Sequence, residues 1–285
     1  MRHAVKIGLL AAGLGVLAWW GWSGNFVFRQ GALFGMPQGE GWYSVSIAGK
    51  PMGYSHRVVG PEAQDGSFSV RESSVATIPI PGFPLSVRLE SEASYDSSGR
   101  LKGAAFTVPS LPGAKASIVA DPRGGKLSSS VSALGRLWEK EVPLPKEGPV
   151  LVSGVVPWLS RQREIPLGKV MLVSLLELPQ AELRQAELTV TDDTTESEEV
   201  QVYRITVRTD SWEASEWVDA KGRLLRQSLS GIEAGLTLLE GEASVGLAKE
   251  ALARPVREVP LDKIPKGVMD LLGRYLPGAQ GKADD

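Results

Sequence analysis

Short strand-like runs separated by Gly, Pro and Asp turns dominate the sequence from Gly41 to about Ala248. Runs of this length with period-two alternation are typical of β-strands, and helical periodicity is scarce. The pattern predicts an all-β body arranged as a sandwich, barrel or half-barrel. It leaves open whether this body is one large unit or two smaller ones.

The first hairpin is predicted at residues 42–59, with its turn at residues 48–51. Its first strand alternates Tyr43, Val45 and Ile47 onto one face. The residues that alternate onto one face of the second strand are Met52, Tyr54, His56 and Val58. Because successive strand residues point to opposite faces, this pattern predicts that His56 lies on an apolar face as a hydrogen-bonded structural residue. A role as ligand or base is the alternative.

Three later turns share the form Asp-x-x-Gly, at residues 96–99, 121–124 and 219–222. An Asp at the first turn position accepts a hydrogen bond from the backbone, and a Gly at the fourth supplies a positive φ. These residues therefore predict hairpin connections rather than carboxylates for a metal or for acid–base chemistry.

A proline-rich apolar segment, residues 78–84, precedes the alternating strand at residues 85–95. Its three prolines lack backbone donors, so it is predicted to be a stiff apolar loop rather than a central strand. Such a loop serves either as a crossover covered by the core or as a lid or contact surface.

A positively charged start and an almost uncharged run over residues 7–28 mark the N-terminus. About 20 apolar residues span a bilayer, and the positive flank stays cytoplasmic. Residues 1–28 are therefore predicted to be a signal anchor in the inner membrane, with the body in the periplasm or outside the cell. Three tryptophans between residues 19 and 22 favour a retained anchor. A signal peptide cleaved after Ser23, giving a secreted or periplasmic protein, is the alternative.

The remaining chain is divided by composition. The predicted segments are a linker at 29–40, a first β-rich half at 41–150, a bridging segment at 151–168, a second β-rich half at 169–250 and a tail at 251–285. The tail carries an amphipathic pattern over residues 265–276, which predicts a short C-terminal helix.

Composition excludes several functions. The net charge is −2, with 31 Lys and Arg well mixed among 33 Asp and Glu, so no nucleic-acid partner is expected. There is no Cys, and the two histidines are His3 and His56. A thiol nucleophile, a zinc site and a histidine triad therefore lack their residues. We predict no catalytic residue, no metal site and no cofactor, and hence a protein that is not an enzyme and acts by binding. An enzyme that uses two carboxylates alone is the alternative.

Two patches carry a family resemblance. Residues 42–54 read Trp-Tyr-x-Val-x-Ile-x-Gly-Lys-Pro-Met-Gly-Tyr, and residues 215–226 contain Trp-Val-Asp-x-x-Gly-Arg. They resemble a bacterial envelope family of unknown function that includes outer-membrane-antigen-like proteins and domains accompanying transglutaminase-like enzymes. The resemblance spans about residues 40–245. It implies a curved antiparallel sheet wrapped like a lipoprotein-carrier half-barrel, with no established reaction. Because the transglutaminase-like module uses Cys, any such activity would belong to a partner.

The sequence thus predicts an anchored, exported β protein that binds an apolar ligand, a lipid or lipoprotein-like molecule, or another envelope protein, in the concavity of its sheet. An accessory or scaffold module for an envelope enzyme, such as a transglutaminase-like peptidase, is the alternative. The candidate binding residues are Tyr54, His56, Ile78, Ile80 and Phe83.

Overall fold

The structure is a computed structural model. It describes residues 39–60, 63–80, 83–97, 100–110, 114–121, 124–133, 136–145, 150–151, 159, 165, 167–177, 182–193, 201–220, 222–230 and 234–255. The strands are β1 (Gly39–Ile47), β2 (Lys50–Val59), β3 (Phe68–Ile80), β4 (Phe83–Tyr95), β5 (Leu101–Thr107), β6 (Lys115–Asp121), β7 (Lys126–Ala133), β8 (Arg136–Pro143), β9 (Val150–Leu151), β10 (Val170–Glu177), β11 (Glu182–Asp192), β12 (Val202–Arg208), β13 (Glu213–Asp219), β14 (Leu224–Leu229) and β15 (Ala234–Leu238). A helix, α1 (Glu242–Ala253), follows β15.

All fifteen strands belong to one sheet, in the order β8-β7-β6-β5-β4-β3-β2-β1-β15-β14-β13-β12-β11-β10-β9. Neighbours are antiparallel except β9 and β10, which are parallel. Because β1 pairs with β15, the strands from both halves of the chain form one continuous sheet. In the described ranges the end strands β8 and β9 are not paired with each other, so the sheet is open. The predicted all-β class is confirmed.

The sheet is strongly curved around its inner face. A buried cluster contributed by β2 to β7 includes Val59, Tyr95 and Leu127, and Leu183 of β11 packs against it. In the sheet order, β11 is six strand spacings from β2, which is roughly 29 Å in a flat sheet. Side chains cannot bridge that separation, so the two ends of the sheet must curl toward a common core. We call the concave face that carries this core the inner face.

The first hairpin forms as predicted, but the face of its second strand was predicted wrongly. Tyr43, Val45 and Ile47 are buried on β1. The buried positions of β2 are Ser55, Arg57 and Val59, and the partly exposed ones are Met52, Tyr54, His56 and Val58.

A β-bulge explains this difference. Ile47 lies opposite Lys50 and Ser46 opposite Pro51, but Val45 lies opposite Gly53, so Met52 is an extra residue. A one-residue shift in register moves every later side chain to the other face. Tyr43 therefore lies opposite Ser55 instead of Tyr54.

The proline-rich segment is also different from its prediction. Residues 77–80 and 83–86 pair with each other as the end of the β3–β4 hairpin, and Pro79 lies opposite Pro84. Because neither proline can donate, this must be a pair without hydrogen bonds, which leaves the ladder on both sides of it intact. The missing donors face outward, where β2 and β5 no longer pair with this hairpin. The segment is thus a two-stranded extension and not a loop.

The three Asp-x-x-Gly segments connect β4 to β5, β6 to β7 and β13 to β14, as predicted. In the last of them, the backbone N–H of Arg223 donates to Asp219 Oδ1 at 2.8 Å, and Gly222 has φ 76°. In the second turn Gly125, rather than Gly124, adopts the positive φ, 64°.

The strands end at Leu238, before residue 250, the predicted end of the second β-rich half. β15 ends at Leu238, Gly241 has φ 85°, and α1 begins at Glu242. The segment is rich in Ala, Leu, Glu and Lys, which are strong helix formers. α1 packs on the outer face of β1 to β3, and the Arg88 guanidinium of β4 donates to the Leu252 and Arg254 carbonyls at its C-terminal end.

Several predictions fall outside the described residues: the anchor at 1–28, most of the linker at 29–40, most of the bridging segment at 151–168 and the helix at 265–276. β1 begins inside the predicted linker, at Gly39. In the described part of the chain, no helix has the length and hydropathy needed to cross a membrane.

Candidate functional site

The β2–β3 register brings four polar side chains together on the inner face. Ser55 lies opposite Ser74, and Arg57 lies opposite Glu72. All four are buried, with Arg57 only 3% and Glu72 6% exposed. Charged residues are rarely buried to this degree unless they are paired.

Arg57 and Glu72 form a hydrogen-bonded ion pair. Arg57 Nη2 and Nε donate to Glu72 Oε2 at 3.0 and 3.2 Å. The hydroxyl of Ser55 donates to Glu72 Oε1 at 2.8 Å, and Ser74 donates to Ser55 at 2.9 Å. Both carboxylate oxygens therefore have donors, which offsets part of the cost of desolvating the charge.

Tyr43 of β1 extends this pair across the sheet. The Arg57 guanidinium carbon lies 5.5 Å from the centroid of the Tyr43 ring, within the range of a cation–π contact. Burial raises the pKa of the Tyr43 hydroxyl, and the Arg57 charge opposes this rise. Burial by itself would lower the pKa of Arg57, but Glu72 and the other groups around it raise that pKa above its ordinary value. The guanidinium therefore stays charged.

A second buried acid lies on the other half of the sheet. Glu216 of β13 lies opposite Gln227 of β14, and Gln227 Nε2 donates to Glu216 Oε1 at 2.6 Å. Glu216 is 6% exposed and Gln227 1%. Among the described residues, Glu216 Oε2 has no hydrogen-bond partner.

Burial raises the pKa of Glu216 to about 7. Arg57 and the hydrogen bond from Gln227 partly oppose this rise, and Glu72 adds to it. Glu216 thus interacts electrostatically with the Arg57–Glu72 pair. We call Tyr43, Arg57, Glu72, Glu216 and Gln227 the inner polar cluster.

The cluster combines hydrogen-bonding groups with an apolar surface. Its neighbours on the inner face include Val45, Leu236 and Ile205, which are fully buried. The carboxyl of Glu216 is close to half-ionised at neutral pH, so it can donate or accept a hydrogen bond. In the described ranges, no group of three or more His, Asp or Glu side chains is arranged to hold a metal ion. The arrangement suits recognition of a polar group on an apolar molecule.

Two of the predicted binding residues lie on the outer face. The imidazole of His56 stacks on the indole of Trp42, with ring centroids 3.8 Å apart, and its Nε2 lies 3.0 Å from Glu40 Oε2. The Lys249 ammonium of α1 lies 5.5 Å from the Trp42 ring centroid. His56 is therefore hydrogen-bonded, as predicted, but to Glu40 of β1 on the outer face instead of in the concavity. Tyr54 lies on the same outward face of β2.

The other three candidates, Ile78, Ile80 and Phe83, lie in the β3–β4 hairpin extension, and their side chains are outside the described part of the structure. Their backbone is at least five residues along β3 from Ser73, the residue opposite His56. At about 3.4 Å per residue this is roughly 17 Å. A binding role for these three residues stays a prediction.

Sequence reasoning missed every residue of the inner polar cluster as a functional residue. The available signal was one charged residue on the same face as an apolar residue in each of two neighbouring strands. Arg57 shares a face with Ser55 and Val59, and Glu72 shares a face with Val70 and Ser74. The local sequence around Glu216 offers no partner for its carboxyl. Its partner Gln227 is adjacent only across the strand pair.

Comparisons with known proteins leave the family open. No family model matches the chain, and no curated protein matches it. A solved β-barrel-like protein of a domain of unknown function (DUF1849) from Brucella abortus is 10% identical, with a TM-score of 0.48, and the match covers 70% of this chain and 95% of that chain. A DUF1089 family protein from Pseudomonas aeruginosa is 14% identical, with a TM-score of 0.33, over 73% of this chain and 98% of that chain. Because both TM-scores lie below 0.5, we infer neither fold nor function from these likenesses.

Proposed function

We propose that the protein binds an amphipathic molecule of lipid type on the inner face of its sheet. The apolar part of the ligand contacts the aliphatic inner surface, and its polar head contacts the inner polar cluster. The observation that carries this proposal is the buried Glu216, whose pKa is raised to about 7 and which lies on the same apolar face as the Arg57–Glu72 pair.

Two physical considerations support this function. Binding sites for small molecules are typically concave and apolar, with a few polar groups that fix orientation. Titratable groups with strongly shifted pKa values concentrate at functional sites. The inner polar cluster combines a shifted titratable group with apolar neighbours on the concave face of one curved sheet.

We further propose that residues 1–28 anchor the protein in the inner membrane and hold the body in the periplasm or outside the cell. The support is the uncharged run at residues 7–28 with its positive flank. The resemblance to bacterial envelope proteins agrees with this placement.

Native mass spectrometry of the full chain, extracted from membranes in a mild detergent, tests both proposals. We expect an intact N-terminus and a bound species whose mass and fragmentation identify a lipid. A chain that begins near Gly24 would contradict the anchor. A chain without any bound amphiphile, which also takes up none when lipid is added, would contradict the binding function.

A second function, that of a scaffold for an envelope enzyme, is favoured by one surface. Leu167, Val170 and Leu172 are 43%, 58% and 61% exposed. Val170 and Leu172 lie at the start of β10, near one end of the sheet, and Leu167 lies three residues before it. Neighbouring exposed apolar side chains often mark protein contacts. Loss of a co-purifying protein on Val170→Lys/Leu172→Lys substitution would support this role, and retention of lipid without any protein partner would count against it.

A further inference from the structure

The charges of the inner polar cluster do not balance. Arg57 donates twice to Glu72, so this pair is neutral as a unit. Arg223, the other cation that acts on Tyr43, is 3.2 Å from Asp219 and is neutralised by it. Among the described residues, ionised Glu216 then has no cation of its own, because Arg57 is shared with Glu72, and the cluster as a whole is negative.

The hydrogen bonds of the cluster are also unequal. Glu72 has donors on both carboxylate oxygens. Glu216 accepts from Gln227 through Oε1, whereas Oε2 is buried without a partner among the described residues. A buried acceptor without a donor costs free energy, and a ligand that supplies an N–H or O–H to this atom recovers it.

We propose that Glu216 selects the head group of the ligand: the inner face binds amphiphiles whose head donates an N–H or O–H to Oε2, and it rejects amphiphiles whose head is an anion. This inference rests on the binding function proposed above. A carboxylate or phosphate head would bring a like charge to Glu216, while the Arg57 charge that could attract it is already balanced by Glu72, to which Nε and Nη2 donate. The ligand class is therefore a neutral or cationic amphiphile.

The test is a competition between two probes with the same alkyl chain, dodecanamide and dodecanoate. The detergent-extracted full chain is incubated with equal amounts of both at about pH 8, where Glu216 is ionised and dodecanoate is an anion. The bound species are extracted and quantified, and the ratio of amide to acid is compared between wild type and Glu216→Gln. Because both proteins meet the same micelles, partition into detergent cancels in the comparison.

We expect the ratio of bound amide to bound acid to be at least about tenfold higher in wild type than in Glu216→Gln, which corresponds to one lost charge repulsion and one altered hydrogen bond. Glu213→Gln is the matched control, since it removes the same charge from the same strand at a position where Glu213 is paired with Arg208, at 2.6 Å. It should keep the wild-type ratio.

Equal ratios in wild type and Glu216→Gln would overturn the head-group inference and leave the binding function intact, whereas binding of neither probe by wild type would overturn both. Glu216→Asp is the second variant if Glu216→Gln does not fold. It keeps the charge, so it must still exclude dodecanoate, while the shorter side chain weakens the bond to the amide. Binding of dodecanoate by a folded Glu216→Asp variant would contradict the inference.

Discussion

At the scale of single residues, the buried ion pair Arg57–Glu72 is the part of the core whose stability depends most on both partners being present. A pair with both partners in place recovers part of its desolvation cost, but a single remaining charge recovers none of it. The sequence supplied both residues, yet their pairing depends on the β2–β3 register, in which Arg57 lies directly opposite Glu72.

We predict that Arg57→Met lowers the free energy of unfolding by about 3–5 kcal/mol, because it leaves the Glu72 carboxylate buried without its cation. The double variant Arg57→Met/Glu72→Leu should regain most of this loss. Urea unfolding of the three proteins measures both effects. As a control, Lys126→Met breaks the exposed pair with Glu141 and should leave the unfolding midpoint nearly unchanged. A double variant no more stable than Arg57→Met would contradict the prediction.

Glu216 makes stability depend on pH. Its pKa is about 7 in the folded protein and near the ordinary 4.5 in the unfolded chain. Between these two values the folded protein binds more protons than the unfolded chain, so the free energy of unfolding falls as the pH rises from 4.5 to 7. The full difference is roughly 3 kcal/mol.

We therefore predict that Glu216→Gln removes this loss. The variant and wild type should differ little in stability at about pH 4, and the variant should be the more stable of the two at about pH 8. Unfolding free energies measured at several pH values provide the test, with Glu213→Gln as the variant that keeps the wild-type slope. Parallel pH curves for wild type and Glu216→Gln would show that Glu216 does not titrate in this range.

At the scale of elements, most strands and turns were predictable and the contacts between them were not. The alternation of Val87, Leu89 and Tyr95 onto one buried face of β4 was predicted correctly, because one face of that strand meets the core and the other meets solvent. For β2 the same reasoning selected the wrong face, since the bulge near Val45 shifts the register by one residue. Gly53 within the strand is a local signal for a bulge, but the alternation does not show which residue is the extra one.

Two glycines illustrate how differently elements tolerate a side chain. At Gly53, beside the bulge, an added Cβ would overlap the Val75 carbonyl oxygen and lie 2.7 Å from the Ala76 Cα. These are backbone atoms of the paired strand and cannot rotate away. At Gly246, in the middle of α1, an added Cβ meets nothing within 4 Å.

We predict that Gly53→Ala destabilises the protein by about 1–3 kcal/mol or prevents folding, because it forces β2 and β3 apart. Gly246→Ala should stabilise it by about 0.5–1 kcal/mol, because Ala loses less conformational entropy in a helix. Thermal unfolding midpoints of both variants measure the two effects. Changes of the same sign would contradict the prediction.

At the scale of the whole molecule, an open sheet must protect its edges. β8 is an end strand, and in the described ranges it pairs only with β7. Lys140 lies opposite Ser129, a buried residue of the inner face, so this edge carries a charged residue on its inward side. Inward charges on edge strands discourage pairing with another chain. Antiparallel pairing of two β8 strands about Lys140 would also place lysine opposite lysine and Glu139 opposite Glu141.

We predict that Lys140→Val promotes self-association of the full chain in detergent, seen by light scattering as a larger mass that grows with protein concentration. Lys102→Val is the control, because Lys102 is also exposed but lies on β5, inside the sheet. Similar association of both variants would mean that added hydrophobicity, and not the edge, causes the effect.

The sequence by itself determined the all-β class, the Asp turns and most of the strands, because alternation and turn chemistry act between residues close along the chain. The tertiary structure decided which face of β2 is buried, that Arg57 meets Glu72 and that Glu216 is enclosed beside Gln227. These outcomes depend on the register between strands and on the curvature of the sheet. In this sheet β1 and β15, the first and last strands along the chain, are neighbours. A period of two is the same for either face, so only the packed core distinguishes inside from outside.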